Sequence, residues 1–535
     1  MILVDKSRIA AFSASGAWGR VTLDGLVRKN AKSHPDALAL ADAPDRASWT
    51  GGAARQLTFA ELEREVDETA ALLAVIGLDA GAVVGLQAPN TVDTIIVLLA
   101  ALRAGLIVTP LSLTWREADI RATLDILGAK AAIAVDRIES QRPADYCRNA
   151  ARKLFGIRHV LGLGEALPDG VLSLADLRRE AGPVPPVAPR TGADDVATVT
   201  WAAPLGGDPV PLPRSHNQWI AAGLMQMIEA RFEAGTKIVS PYAPNGLVGL
   251  GAVIAPWLLS GAELHLHHFR SLDGLAEHAL AVGADHLFAP APLVDPLAAR
   301  LARGEAQPAR ITAVWANGHP SSNAPIAFDA RIDLTNLGDY AYVSARRHDD
   351  GPAPLPLGAL STPSAGKAAP VLLETRLGPE GFAVKGPMVP DVGWPGNRAT
   401  PIRLDDKGFV MTGLAGAALP EDPDHARPTA HAGPSCFAGG TLVDPASLDR
   451  LYSECPEVEE GAAFFIDDPV LGARLAAALV QQDGETASAE ALQAYLDDMR
   501  VAIDKRPVEV VLVPEIPREV NGSVDREELA FSCRR

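Results

Sequence analysis

Two histidine-containing segments are the first places in this chain where residue type and spacing suggest chemistry. In the run His265-Leu266-His267-His268, His265 and His267 fall on one face of a predicted strand, a spacing that can bind a transition metal. No constellation of carboxylates accompanies them in the sequence, so we favour a polar strand face and predict no metal site. The pair Ser215-His216 suggests a hydrolase, but the chain lacks the G-x-S-x-G turn that presents such a serine.

The cysteines add no further site. They are widely scattered and include no C-x-x-C pair, which disfavours both a disulfide framework and a zinc site. They are Cys147, Cys436, Cys455 and Cys533.

Composition and charge narrow the function classes. The 535 residues are 48% hydrophobic and 21% charged, as in ordinary globular proteins, and their number allows about three domains or subdomains. A formal net charge of −18 argues against a nucleic-acid partner. The N-terminus lacks a basic and then apolar leader, and the long apolar stretches 94–102 and 247–259 are shorter than the ~20 residues of a membrane span. We therefore expect a cytoplasmic protein without a membrane span.

Local patterns predict the elements that must position any site. Apolar residues recur at helical spacing after residue 58, and Thr58 with Glu61 forms a capping box at the start of that helix. A second helix is predicted over 91–104. Short apolar strands are predicted at 83–86, 106–108, 131–135, 238–239, around Leu264 and at 311–314. Such alternation of strands and helices is typical of an α/β fold with largely parallel sheets.

Composition changes near residue 414, where Pro, Asp, Ala and Gly replace any periodic pattern. We interpret 415–434 as a hinge or linker between an N-terminal domain, 1–414, and a C-terminal lid domain, 435–535. The last segment carries predicted strands at 462–466, 475–480 and 508–513 and a helix at 488–503, enough for a small α+β domain.

Several segments together resemble a known family. Residues 57–110 contain L-T-F-A-E-L, then G-A-V-V-G-L-Q-A-P-N-T, then L-L-A-A-L-R-A-G-L-I-V-T-P. Further matches lie at 379–389, 408–413, 439–445 and 517–522. In this order and spacing they resemble the AMP-forming acyl-CoA synthetases and other adenylate-forming enzymes from about residue 20 to 530. The resemblance implies a large N-terminal domain of layered α/β subdomains and a small α+β C-terminal domain.

The resemblance also implies a reaction. In this family a carboxylate attacks the α-phosphate of ATP, and the acyl-adenylate then passes its acyl group to a thiol such as CoA. Such chemistry depends on cations and hydrogen-bond donors placed around the triphosphate. The residues at the family's motif positions therefore decide whether this chain can perform it.

The family's phosphate loop, T-S-G-T-T-G-x-P-K-G, aligns with residues 202–211 of this chain, A-A-P-L-G-G-D-P-V-P. The hydroxyl groups are replaced, the lysine becomes Val210, and two prolines remove N–H donors. We predict a poor phosphate cradle at the positions that would contact the nucleotide, which are Ala203, Leu205, Gly206, Gly207 and Val210.

Other nucleotide motifs are altered too. The family's Y-G-x-T-E aligns with Leu337 followed by Gly338, Asp339, Tyr340 and Ala341, so Ala341 stands where the magnesium carboxylate is expected. The ribose-binding aspartate of T-G-D is replaced by Leu414, which cannot accept hydrogen bonds. Two further family positions, the ribose-contacting arginine and the adenylating lysine, are occupied by His431 and Ser523.

Two groups of residues keep both a functional and a structural interpretation. Asn245, Gly249, Gly318 and His319 fall near the acyl and adenine pocket of the family, although His319 could instead cap a turn. Ser215 and His216 are the best-kept part of the phosphate motif, and Ser215 equally suits the N-cap of a helix.

Three functions follow as hypotheses. The first is a catalytically impaired family member, needing no cofactor, that binds an acyl, acyl-CoA, nucleotide-like or carrier-protein ligand, with a homo-oligomer or other protein partner left open. The second is an active ligase that uses ATP, Mg²⁺ and CoA through residues such as Arg214, Asp339 or His431. The third is ATP-independent acyl transfer or thioester hydrolysis on the same scaffold.

Overall fold

The computed structural model describes most of the chain, in two compact units. Residues outside the description are 183–184, 186–189, 203–208, 303–307, 317–329, 348–352, 362–368, 397–398, 432–435, 439–440, 469–471, 483–485 and 534–535, and only the backbone is described for 430–431, 436–438, 441–442 and 472. The first unit comprises 1–113, 120–202 and 210–429. The second comprises the described parts of 114–119, 203–209 and 430–535.

Two large sheets organise the first unit. An eight-stranded sheet has parallel inner strands and an antiparallel pair at each edge. In spatial order its strands are Ala341–Arg346, Ala330–Leu337, Arg310–Trp315, His286–Pro290, Lys237–Ser240, Glu263–Leu266, Leu38–Asp42 and Gln56–Thr58. The seven-stranded sheet runs Leu172–Ser173, His159–Leu163, Ala131–Val135, Val83–Gln87, Ile107–Pro110, Val196–Ala202 and Val210–Ser215.

Helices separate these strands along the chain. The α-helices are Lys6–Ser15, Leu23–Ser33, Arg46–Thr50, Phe59–Val75, Val92–Arg103, Glu117–Ile126, Pro143–Ala151, Leu174–Ala181, His216–Ala230, Ala255–Ser260, Leu272–Val282 and Val294–Leu301. A π-helix spans Val248–Ile254, and a 3₁₀ turn spans Ala291–Leu293. The predicted α/β class with largely parallel sheets is confirmed, and no helix of the described residues has the length and apolarity to cross a membrane.

Two smaller sheets complete the first unit. One consists of Leu355–Pro356, Asp422–His431 and Leu414–Leu419, the other of Gly358–Ser361, Val371–Gly378, Gly381–Lys385 and Val410–Met411. Most of the segment 415–434, which the sequence predicts to be a hinge or linker, forms paired strands. Pairing of Ala426 with the distant Leu355 supplies the order that a Pro- and Asp-rich sequence does not suggest. The predicted domain boundaries and hinge role stay predictions.

The second unit is a small α+β arrangement, as the sequence predicts. Its sheet contains Val458–Asp468, Gly472–Gln481 and Glu509–Leu512, and a separate hairpin pairs Cys436–Ala438 with Thr441–Val443. Its helices are Pro445–Ser453, Ala489–Asp498 and Arg526–Cys533, with a 3₁₀ turn at Ile503–Lys505. The predicted helix at 488–503 ends earlier, at Asp498.

The helix Phe59–Val75 shows how local pattern and packing agree. Its capping box is present: the Thr58 hydroxyl accepts from the Glu61 amide, and the Glu61 carboxylate accepts from the Thr58 amide at 2.8 Å. Apolar side chains on one face of this helix are buried. These are Phe59, Leu62, Val66, Ala70 and Leu73.

A buried arginine fixes this helix against its neighbours. The Arg103 side chain, 1% exposed, pairs with Glu63 at 2.7 Å, with Asp67 at 2.8 Å and with Asp24 at 3.4 Å. Glu63 and Asp67 also pair with Arg28, at 2.9 and 3.2 Å, so Arg103 is the added cation that joins their helix to Asp24.

We predict that Arg103→Ala lowers the free energy of unfolding by about 3–5 kcal/mol, because it removes the ion pair of the buried Asp24 and leaves Glu63 and Asp67 with Arg28 as their cation. Urea denaturation measures the change. Arg64→Ala is the control, since Arg64 and Glu68 form an exposed pair worth about 0–1 kcal/mol. Equal effects of the two substitutions would refute the assigned role of Arg103.

Candidate functional site

An antiparallel hairpin forms one wall of the candidate site. The strands Val196–Ala202 and Val210–Ser215 pair along their length, with Ala202 opposite Val210. Val210, which the sequence comparison predicts to stand at the family's lysine position, is 6% exposed and packs into the main hydrophobic core. The connecting positions Ala203, Leu205, Gly206 and Gly207 lie outside the described residues.

Arg214, near the end of the second strand, is fully buried. Its guanidinium donates to the Thr200 hydroxyl at 2.8 Å, to the Tyr340 carbonyl oxygen at 3.1 Å and to the Asp339 carbonyl oxygen. The guanidinium carbon also lies 4.8 Å from the ring centre of Trp219, a cation–π distance. Sequence reasoning missed Thr200 and Trp219, because they are joined to Arg214 only by the fold.

Burial sets the electrostatics of this arginine. Loss of hydration lowers the pKa of Arg214 to about 9, against a smaller opposing effect of Asp339. At neutral pH the guanidinium is still charged, and it donates hydrogen bonds to backbone carbonyl oxygens. Its role in the structure is to hold the turn at 338–341 against the hairpin.

That turn has an unusual backbone. Gly338 has φ +65°, and a Cβ there would collide with the Thr412 carbonyl oxygen, so both conformation and space require glycine. Asp339 also has positive φ, +64°, and its carboxylate accepts from the side-chain Nδ2 of Asn336 at 2.9 Å. Burial raises the pKa of Asp339. Ala341 begins the strand that pairs back with Leu337.

Thr412 and Leu414 lie beside this turn. The Thr412 hydroxyl donates to the Phe382 carbonyl oxygen at 2.7 Å and accepts from the Leu414 amide at 3.1 Å. Leu414 is 2% exposed and belongs to the same core as Val210. The fold therefore brings together the segments aligned with the phosphate, magnesium and ribose motifs, with apolar packing at two of those positions.

Ser215 and His216 begin the helix His216–Ala230. The Ser215 hydroxyl accepts from the Gln218 amide, and the Gln218 side-chain oxygen accepts from the Ser215 amide at 2.8 Å, which confirms the helix-capping interpretation. His216 is buried, and its Nδ1 accepts from the Leu23 amide at 3.2 Å. Loss of hydration lowers the pKa of His216 to about 4, so the ring is neutral at physiological pH.

The predicted pocket residues are only partly described. Gly249 lies in the π-helix Val248–Ile254, where a Cβ would collide with the Ala243 carbonyl oxygen. Asn245 precedes that helix and is exposed. Irregular helical turns of this kind occur frequently at functional sites. Gly318 and His319 lie outside the described residues.

The histidine run is a polar network. His265 Nε2 lies 2.6 Å from the Glu263 carboxylate, and His267 Nδ1 lies 3.2 Å from His278 Nδ1. Within the described ranges, no three histidine, cysteine or acidic side chains are grouped so as to hold a metal ion.

In the second unit, Ser523 is exposed, and its hydroxyl lies 2.6 Å from the Asn521 side-chain oxygen and 3.1 Å from the Glu519 carboxylate. Local turn formation accounts for both contacts. His431 ends the strand Asp422–His431, and its side chain is not described.

The chain is similar to known proteins over most of its length. Residues 27–340 match the profile of a family described as AMP-binding enzyme. A salicyl-AMP ligase / salicyl-S-ArCP synthetase of Mycobacterium tuberculosis is 26% identical over 98% of this chain and 92% of its own length. A medium-chain fatty-acid–CoA ligase of Escherichia coli is 22% identical over 98% of this chain and 92% of its own length.

Solved structures show the same fold. The apo structure of MbtA from Mycobacterium smegmatis has a TM-score of 0.63 at 21% identity, covering 99% of this chain and 98% of that one. The amide bond synthetase McbA from Marinactinospora thermotolerans has a TM-score of 0.74 at 18% identity, covering 95% of this chain and 99% of that one. The predicted fold, a large α/β N-terminal part with a small C-terminal domain, is confirmed.

The buried His216 predicts a specific pH dependence. Its folded pKa, about 4, is below the 6.5 of an unfolded histidine, so the unfolded state takes up the proton first as pH falls. The stability that the neutral His216 contributes is fully present above pH 6.5 and is lost as the pH falls toward 4. In His216→Asn the side-chain oxygen can still accept from the Leu23 amide. We expect the free energy of unfolding of this variant to fall by about 1–2 kcal/mol less than that of the wild type between pH 7.5 and pH 5.

Urea denaturation at the two pH values measures this loss. The exposed His34 provides the control, His34→Asn, which should keep the wild-type dependence. A wild-type dependence in His216→Asn as well would show that His216 does not titrate in this way.

Proposed function

The chain belongs to the AMP-binding enzyme family, and on that premise we propose that it is a ligase-family protein with a degenerate ATP and Mg²⁺ site. In place of adenylation, it binds an acyl or aryl ligand, the corresponding thioester, or a carrier protein. The observation that carries this proposal is the packing of Val210 and Leu414. Both stand where the family places a charged group, and both side chains are apolar and buried in one core.

The magnesium position supports the same proposal. Ala341 has no oxygen in its side chain, and the neighbouring Asp339 carboxylate is hydrogen-bonded to Asn336. A buried carboxyl with a raised pKa is also a weaker ligand for a hard cation than an ionised, accessible carboxylate. At these described positions the side chains do not fit Mg²⁺ with a triphosphate.

Arg214 does not replace the missing lysine in this proposal. Its side chain is fully buried, and its described hydrogen bonds go to Thr200 and to two backbone carbonyl oxygens. Turning it toward a phosphate would leave those carbonyl oxygens without a donor and would move a charged group through the core. Catalytic use of Arg214 is thus disfavoured.

An active ligase is the second candidate, favoured by similarity along nearly the whole chain to enzymes described as AMP-forming or CoA ligases. The name of the mycobacterial relative includes a salicyl carrier-protein synthetase activity, so an aryl acid and a carrier protein are the first ligand and partner to test. Hydrolysis of acyl-CoA without ATP remains a third activity for assay.

We predict that isothermal titration of the full chain with MgATP gives no saturable heat up to about 1 mM, where a binding site of ordinary affinity would be filled. The cause is the lack of accessible cations and acceptors at the described nucleotide positions. The E. coli medium-chain fatty-acid–CoA ligase serves as the positive control under the same conditions. Saturable micromolar binding would overturn the degenerate site and favour the active ligase.

A further inference from the structure

A cavity in the first unit is lined by residues that play no part in the candidate site. Its volume is about 550 Å³, and it opens between the end of the helix Pro143–Ala151, the start of the strand His159–Leu163 and the turn at Asp169-Gly170. This volume is in the range of small-molecule sites. All of its lining residues are described.

The lining is rich in arginine. Arg148, Arg152 and Arg158 line the cavity, together with His159 and Asp169. In a chain with a formal net charge of −18, three guanidinium groups around one concavity form a local basic site. A concave basic site of this size suits a small anion, whereas a macromolecule would require a broad basic surface.

The three arginines differ in their partners. Arg148 pairs with Asp145 at 2.9 Å and donates weakly to the Asp169 carbonyl oxygen at 3.4 Å. The side chains of Arg152 and Arg158 are exposed and form no hydrogen bond or ion pair with another described residue. Two guanidinium groups of this cavity therefore keep all their donors available.

A structural explanation covers only part of this arrangement. Arg148 and Arg152 lie at the C-terminal end of a helix, where the helix dipole stabilises a cation. Arg158 precedes a strand and gains nothing from that dipole. The helix dipole therefore does not explain why Arg158 lines the same cavity.

We propose that this cavity binds a phosphate-bearing small molecule, held by the guanidinium groups of Arg152 and Arg158. The planar fork of each guanidinium matches two phosphate oxygens, and each charge-assisted hydrogen bond is stronger than a neutral one. Arg148, which is paired with Asp145, lines the same cavity. The Asp169 carboxylate supplies an acceptor for a hydroxyl or amino group of the same ligand.

The test is isothermal titration of the full chain with inorganic pyrophosphate as the probe. We expect saturable binding by the wild type and a loss of affinity of about tenfold or more in Arg152→Gln with Arg158→Gln, because two charge-assisted contacts are removed. The matched control is Lys32→Gln with Arg121→Gln, which removes two exposed positive charges outside the cavity and should change affinity less than about twofold. Thermal unfolding checks that both variants are folded.

Several outcomes would overturn the proposal. They are absence of saturable binding in the wild type, equal weakening in both double variants, and succinate binding as tightly as pyrophosphate. Undiminished binding in Arg152→Gln with Arg158→Gln would place the anion elsewhere, including the nucleotide cleft, and would also refute this site. None of these results depends on whether the protein adenylates an acid.

Discussion

The buried guanidinium of Arg214 is the constraint on which the candidate site depends. A buried charge must be compensated by hydrogen bonds, and this one draws its partners from three separate parts of the first unit. They are the Thr200 hydroxyl on the adjacent strand, the carbonyl oxygens at 339 and 340, and the aromatic face of Trp219. One side chain therefore fixes a hairpin, a helix and a turn in a common geometry.

The turn at 338–341 also positions a further segment of the first unit. Because Gly338 lies directly against the Thr412 carbonyl, the segment carrying Leu414 is held beside the turn. The segments aligned with the family's magnesium and ribose motifs thus lie beside each other, while Val210 and Leu414 contribute apolar packing. The family scaffold is retained, and we propose that the polar groups for ATP have been exchanged for contacts within the protein.

Local patterns in the sequence were sufficient for much of the fold. The capping box of Thr58 and Glu61 and the buried strands 83–87 and 131–135 depend on neighbouring residues, so periodicity and cap chemistry predict them. The hairpin at 414–431 was not predictable in this way. Its second strand, Asp422–His431, has a Pro- and Asp-rich composition, and that strand also pairs with residues about 70 positions away, at Leu355–Pro356.

Some features of the candidate site were also predictable from the sequence, and others were not. Motif comparison identified Val210, Gly338 and Leu414 as positions of interest, but it could not show that Arg214 is directed at backbone carbonyl oxygens. Nor could it predict that Gly249 lies in a π-helix. The contacts of Arg214 join segments more than 100 residues apart, and a local sequence pattern carries no information about them. The positions 203–208 and 317–329 lie outside the described residues, so the expectations for them stay predictions.

Exchange of radioactive pyrophosphate into ATP, measured with a panel of aliphatic and aryl carboxylic acids including salicylate, tests the loss of adenylation most directly. We expect no acid-dependent exchange above the protein-free background, and no recovery in Val210→Lys with Ser523→Lys, because the remaining nucleotide contacts are still absent. Acid-dependent exchange by the wild-type chain with any member of the panel would contradict the proposed degenerate site and identify the protein as an active adenylate-forming ligase.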